Sequence, residues 1–318
     1  MTETAFERQP PFFVVGSDRS GTTMLMMMLD AHPGLGMSRE SWFLIDLMNA
    51  LPLHGALSLE QVHQAFEIIG THPRWQIADS ELRACLDGLD QPELAELVTA
   101  VFQLDLERGG KTRWGDKTPA YVREIARIHS LFPRAQFIHL IRDVRDVCIS
   151  LRNVGWHGPT LGHMARYWRA HVSSGIAAGR ALGAELYLEV PYETLVTDVE
   201  ATLRRICAFL GEPFSPAMLT WYEHTAAKTA SRPMKFQTKL DRAPRASDVG
   251  RWRAEMSALD LAIVEANAGE TMDRAGQVRR YPKSLSWFGP LLSAVEGIGL
   301  VFARIRRRLG IGDSPSSD

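Results

Sequence analysis

Apolar and polar positions fall into two kinds of block along this chain: short solid apolar runs, and longer stretches in which apolar residues recur at helical spacing. Phe12 to Val15 is a solid run that ends at Gly16 and reads as a buried strand. From Thr22 to Ala31 the spacing is helical, and His32-Pro33-Gly34 stops it. Arg39 to Asn49 reads as a second helix. Residues 58–70, 79–88 and 92–107 carry further helical periodicity, broken at Gly70-Thr71-His72-Pro73 and around Gln91-Pro92, and form a helical insertion. Thr118-Pro119 predicts a helix to about Leu131, with threonine as its cap and proline at its first position. Ala135 to Ile141 is the next solid run and ends at Arg142-Asp143. A helix from Val144 to Arg152, a long one over 163–182, a strand from Glu185 to Val190 and a helix from Asp198 to Leu210, stopped by Gly211, complete the pattern.

Strands alternating with helices predict an α/β fold, a P-loop-type, mainly parallel sheet flanked by helices. The expected organisation is one domain over 1–284, with the insertion at about 51–110, followed by a C-terminal amphipathic helix and short tail over 285–318. Ligands in such sheets collect at the carboxyl ends of the strands, where Ser17 to Thr23, Arg142 and Tyr192 are expected to meet.

The segment Gly16-Ser17-Asp18-Arg19-Ser20-Gly21-Thr22-Thr23 joins the first strand to the first helix. A loop there turns several backbone N–H groups toward one point, and the helix start adds unpaired donors and its positive dipole end. Arg19, Ser20, Thr22 and Thr23 add side-chain donors suited to phosphate oxygens. Gly16 and Gly21 have the spacing of a Walker loop, but Thr22 stands where a nucleotide triphosphatase carries lysine. A second anion site is suggested by Arg142, at a strand end, with Ser150 a little over two helical turns later. A surface ion pair within Arg142-Asp143-Val144-Arg145-Asp146 is the competing reading.

Bulk composition narrows the picture. The chain has 318 residues and a formal net charge of -1, so no global field draws it to nucleic acid or membrane and any anion site is local. Cys85, Cys148 and Cys207 are odd in number and lack metal-ligand spacing, which argues against a disulfide framework or a zinc site; Arg142 opposes a cation beside Asp143, and no metal is expected. The first residues lack the apolar core of a secretory signal, so a cytoplasmic location is expected. No run of 18 uncharged apolar residues occurs; the nearest candidate, Leu285 to Val301, contains Glu296 and leads into Arg304, Arg306, Arg307 and Arg308. That tail reads first as a helix packed on its own domain or on a second subunit, as in a homodimer, with peripheral membrane contact as the alternative. From Glu223 to Arg251 the chain turns basic, with Lys228, Arg232, Lys235, Lys239, Arg242, Arg245 and Arg251, as either a solvated loop or a lid.

Taken together, the two anion motifs resemble those of the sulfotransferases that use 3'-phosphoadenosine 5'-phosphosulfate (PAPS), and most nearly the tyrosylprotein sulfotransferase branch and its bacterial relatives. Arg19-Ser20-Gly21-Thr22-Thr23, Leu29-Asp30-Ala31-His32-Pro33 and Glu40 are similar to that branch's opening motif. The resemblance implies that Arg19, Ser20, Gly21, Thr22 and Thr23 hold the 5'-phosphosulfate and that Arg142 and Ser150 hold the 3'-phosphate. It implies Lys117, in Gly115-Asp116-Lys117-Thr118-Pro119, as a catalytic lysine beside Arg19. It further implies Tyr192, in Val190-Pro191-Tyr192-Glu193-Thr194-Leu195-Val196, as an adenosine contact, and Glu40 as the general base; His32 is similar to a structural histidine. Arg251 is a nucleotide-binding candidate from its place before Trp252. The implied activity is sulfuryl transfer to a hydroxyl acceptor, with a small molecule or lipid favoured over protein tyrosine. The alternative is a P-loop kinase that phosphorylates a small molecule with ATP.

Overall fold

Five short strands pair in parallel in the order β2-β3-β1-β4-β5: β1 (Phe12–Gly16), β2 (Leu35–Ser38), β3 (Arg113–Asp116), β4 (Gln136–Ile141) and β5 (Tyr187–Pro191). The computed structural model describes residues 9–38, 40–71, 77–155, 157–223 and 242–308. The sequence-predicted lid cations Lys228, Arg232, Lys235 and Lys239, and the short tail after residue 308, lie outside these residues. β1 is central and buried along its whole length, as its unbroken apolar run requires. It lies between β3 and β4; the connection leaving β1 runs to β2 on one side of the sheet and that leaving β4 to β5 on the other, so the loop after β1 sits at a switch point.

Helices fill the connections. Helix α1 (Thr22–Asp30) follows β1; α2 (Phe43–Ala50) follows β2; α3 (Leu59–Gly70), α4 (Asp79–Asp87) and α5 (Leu94–Gly109) make up the predicted insertion before β3. Then come a 3₁₀ turn (Pro119–Arg123), α6 (Ile125–Leu131), α7 (Val144–Val154), α8 (Leu161–Leu182), α9 (Tyr192–Thr197) and α10 (Val199–Leu210). Gly211 adopts the left-handed conformation that ends α10, as its sequence position predicts. The later elements are α11 (Trp252–Glu255), α12 (Ala258–Ala268), α13 (Thr271–Arg274), a 3₁₀ turn (Lys283–Phe288) and α14 (Gly289–Arg308).

Two expectations are corrected. Of the helix predicted over Arg39 to Asn49, Arg39 lies outside the described residues, and from Glu40 on the helix begins only at Phe43, because Trp42 has φ 54 and breaks helical geometry, leaving Glu40 in the link after β2. The helix predicted from Thr118 is a 3₁₀ turn followed by α6, and Thr118 Oγ1 does not cap it but accepts from the Ser41 N–H, 3.2 Å away. Lys283–Phe302 is long and apolar enough to cross a membrane by length and composition, with 6% of that window buried.

The described residues divide into two compact units, Met1–Ile141 with Ser174–Asp248, and Arg142–Ser173 with Val249–Asp318, so the tail helix shares a unit with α7 and α12. The first contains the sheet. Phe13 of β1 stacks on Phe137 at 5.4 Å and meets Trp114 edge-on at 5.7 Å, while Trp114 stacks on Phe102 of α5 at 4.2 Å. This aromatic column ties the insertion to the sheet, each such pair adding about 0.5–1.5 kcal/mol beyond area burial. In the second unit, Arg145 is the organising side chain. It makes a bidentate contact with Asp143 (2.9 and 2.6 Å), donates to Glu265 at 3.0 Å and stacks 3.7 Å over Trp252. Glu265 also accepts from the Arg280 and Tyr281 amides.

Because Glu265 is buried beneath that cation, Arg145→Met is expected to leave it uncompensated and to cost about 3–5 kcal/mol. A fall in the urea midpoint of the transition reporting Trp252 checks this; a change under about 1 kcal/mol would mean the network does not hold the unit.

Candidate active site

The site starts at the loop between β1 and α1. Arg19 has φ 65 and Gly21 has φ 94, so two left-handed residues bend the chain tightly into the helix. Gly21 is needed twice over: its φ suits glycine, and a Cβ there would lie 2.5 Å from the Tyr192 ring, which covers the loop. Gly21 supplies no side-chain cap, leaving the first-turn amides of α1 to other acceptors. Ser17 and Ser20 are buried, and the Ser20 hydroxyl oxygen is buried without a hydrogen-bond partner. A buried donor of that kind is costly unless an acceptor arrives. Loop, helix start and orphaned hydroxyl together fit an anion.

Lys117 projects from the end of β3 toward the same helix. Its ammonium lies 2.5 Å from Glu40 Oε1 and donates to Thr23 Oγ1 at 3.2 Å, with the lysine side chain 3% exposed and the glutamate 19%. Trp42 Nε1 donates to the other oxygen, Glu40 Oε2, at 3.1 Å. Each carboxylate oxygen therefore has its own donor, which fixes the plane of the group. The φ of 54 at Trp42 is the backbone strain associated with this placement, a cost sustained by surrounding structure.

A polar layer lies beneath. Ser41 Oγ and Tyr121 OH are 2.6 Å apart, and the Ser41 amide donates to Thr118. Asp116, one residue before Lys117, is wholly buried, and neither of its carboxylate oxygens has a partner in hydrogen-bonding geometry. Burial pushes its carboxyl up to about 7, against the opposing pull of the nearby Ser41 and Thr118 hydroxyls and the Lys117 charge; the Glu40 charge adds to the rise. Burial and the neighbouring Asp116 likewise raise the Tyr121 phenol well above its ordinary value. Ser41, Trp42, Asp116, Thr118 and Tyr121 were not among the sequence candidates. Their signal was adjacency to Glu40 and Lys117 in the two motifs.

The remaining candidates fall as follows. Arg142 directly follows β4 and belongs to the second unit. Its guanidinium is buried, 3.9 Å from Asp146, and its carbonyl accepts from Trp168 and Gln277. Ser150 is on α7 of that unit, about two turns further on. Arg251 precedes α11 and pairs with Glu255 at 2.7 Å near the surface. Arg242 pairs with Asp248 at 3.0 Å. His32 is structural: Nδ1 accepts from the Gly34 amide, leaving Nε2 to donate to the Pro213 carbonyl at 2.7 Å. A recess of about 580 Å³ within the insertion is lined by residues including His63, Phe66 and Arg83, and none of Glu40, Lys117 or Thr23 lines it.

Asp116 generates a pH test. Between 3.8 and about 7 the folded protein holds a proton on Asp116 that the unfolded chain has released. Its contribution to stability therefore falls as pH rises through that window and is flat above it, with a slope of at most about 1.4 kcal/mol per pH unit. Asp116→Asn is expected to remove that slope, so the melting temperature of the variant gains on wild type from pH 4 to 7. Parallel profiles would contradict it.

Comparison with known proteins agrees with this geometry. A model of the sulfotransferase family matches residues 10–216, more than half of the chain. The chain is 26% identical over 227 residues to protein-tyrosine sulfotransferase A of Caenorhabditis elegans, covering 69% of this chain and 54% of that one, so it spans about half of that relative's length. It is 25% identical to omega-hydroxy-beta-dihydromenaquinone-9 sulfotransferase Stf3 of Mycobacterium bovis, covering 86% of this chain and 77% of that one. The solved sulfotransferase domain of the Synechococcus PCC 7002 olefin synthase has the same fold, with a TM-score of 0.65 and 22% identity over 86% of this chain and 96% of that one. From the loop after β1, through the Glu40 and Lys117 segments and on to α10, the matched residues include the whole sheet, and the chain belongs to the sulfotransferase family.

Proposed function

We propose that this protein moves a sulfuryl group from PAPS to a hydroxyl acceptor, with Glu40 as the general base. The observation that carries the reading is the Lys117 ammonium between Glu40 Oε1 and Thr23 Oγ1, which joins a proton acceptor to the helix following the phosphate loop. PAPS, when bound, supplies the sulfuryl group and a phosphate leaving group. In this reading Arg19, Ser20, Gly21, Thr22 and Thr23 hold its 5' end, Arg142 and Ser150 its 3'-phosphate, and Tyr192 and Arg251 add nucleotide contacts. The orphaned Ser20 hydroxyl and uncapped start of α1 are what support an anion at the loop.

Glu40 takes the proton of the acceptor hydroxyl as the new O–S bond forms and the S–O bond to the phosphate breaks. Lys117 and Arg19 offset the negative charge that gathers on the leaving phosphate. Trp42 and Lys117, holding one carboxylate oxygen each, set the direction from which the acceptor is met. For the acceptor, identity to the Stf3 enzyme, whose name gives a hydroxylated menaquinone, extends over 86% of this chain, against 69% for the tyrosine enzyme. Among such relatives, we favour a small-molecule or lipid hydroxyl over protein tyrosine as the acceptor.

Incubation with radiolabelled PAPS and a panel of alcohols, phenols, hydroxylated lipids and tyrosine peptides tests the reading. Label is expected in at least one hydroxyl compound, whereas phosphoryl transfer from ATP and none from PAPS would overturn it. On the labelled acceptor, Glu40→Gln is expected to lower turnover by about 100- to 10,000-fold while product-nucleotide affinity is retained. Full turnover in that variant would remove Glu40 as the base.

A further inference from the structure

Helix α14 is inverted relative to an ordinary surface helix. Apart from Leu292, which is half-buried, the stripe turned to its own unit is small and polar: Gly289 is buried, Ser293 and Glu296 are half-buried, and the polar members are engaged. Ser293 Oγ bonds Asn267 Oδ1 at 3.1 Å and accepts from Arg166 at 2.8 Å. Glu296 accepts from the Leu161 and Gly162 amides and so caps the start of α8. The opposite stripe is apolar and open: Leu291 is 61% exposed, Val295 48%, Ile298 57% and Phe302 63%, with Trp287 at 84% in the turn before the helix. Positions 291, 295, 298 and 302 recur at helical spacing, so they form one continuous face. An apolar face that size, on the outside of a helix already held by polar contacts, is a docking surface.

Charge decides the partner. Between Lys283 and Arg308 the one acid is Glu296, which is turned inward, while arginines stand at 304, 306, 307 and 308. A second copy laid on this face in either direction would bring no carboxylate from the same helix to meet the arginines. A bilayer bearing acidic headgroups offers hydrocarbon for the stripe, an interfacial zone for Trp287 and negative charge for the arginines. Crossing the bilayer would require withdrawing Glu296 and Ser293 from α8 and α12, leaving the Leu161 and Gly162 amides and Arg166 without those acceptors. We propose that the outer face of α14, with Trp287, seats this protein on an anionic lipid surface, with the helix lying in the interface over about 30 Å rather than spanning it.

Cosedimentation of the full chain with phosphatidylcholine vesicles, and with vesicles containing phosphatidylglycerol, tests the proposal. Binding to the anionic vesicles, weak binding to neutral ones and release by high salt or carbonate are expected. The double variant I298D/F302D, altered only at exposed positions, is expected to bind at least about tenfold more weakly with unchanged melting temperature. The triple variant R306Q/R307Q/R308Q is expected to lose about 100-fold on anionic vesicles. Absence of binding to anionic vesicles, or variants that bind like wild type, would overturn the proposal. Extraction by detergent alone would replace it with a spanning helix. A dimer dissociated by I298D/F302D, with no vesicle binding, would assign the face to a second copy instead.

Discussion

Everything at the candidate site depends on one buried cation. Lys117 reaches from the end of β3 to Glu40 in the link after β2 and to Thr23 in the first turn of α1, so a single ammonium fixes three segments that are far apart in sequence. At 3% exposure it is a cation that requires its partners, because an unpaired ammonium there would bear the full cost of desolvation. The same requirement places a carboxylate beside a phosphate loop, an arrangement that anion binding alone would not favour. The lysine lets a carboxylate and the start of the helix after the β1 loop share one wall.

The sheet makes that meeting possible. With β1 between β3 and β4, the loop after β1 and the residue after β3 emerge at adjacent carboxyl ends. Parallel pairing of β2 with β3 then brings the Glu40 link alongside Lys117. Beneath them Asp116 is buried with Ser41, Thr118 and Tyr121, and its raised pKa limits how much negative charge collects under Glu40 below neutral pH. A wholly ionised Asp116 would compete with Glu40 for the Lys117 charge.

The legible parts of this fold were those with a strong period. Phe12 to Val15 and Ala135 to Ile141 read as strands because burial on both faces demands unbroken apolar runs, and the insertion read as helical because α3 to α5 keep one face inward. Leu35–Ser38 and Arg113–Asp116 were not read as strands. Each has only four residues, including a glycine, and Arg113 and Asp116 are charged residues buried at strand ends, where Arg113 is satisfied by the Pro10 and Leu210 carbonyls. The start of α2 was placed too early because nothing in the local pattern signals the left-handed Trp42. At the site, Glu40, Lys117 and the loop were visible through motif resemblance, but their convergence on one ammonium is tertiary. Ser41 and Tyr121 join the site through a contact 80 residues apart, which no local spacing encodes.

The most direct test of the account is a calorimetric titration of the purified protein with 3'-phosphoadenosine 5'-phosphate and, in parallel, with ATP, repeated for Arg142→Ala. The account predicts that the bisphosphate binds at least about 100-fold more tightly than ATP and that the variant loses most of that preference, since an arginine fork contacting a phosphate is worth a few kcal/mol. Equal or tighter binding of ATP, or a bisphosphate affinity indifferent to Arg142, would contradict it.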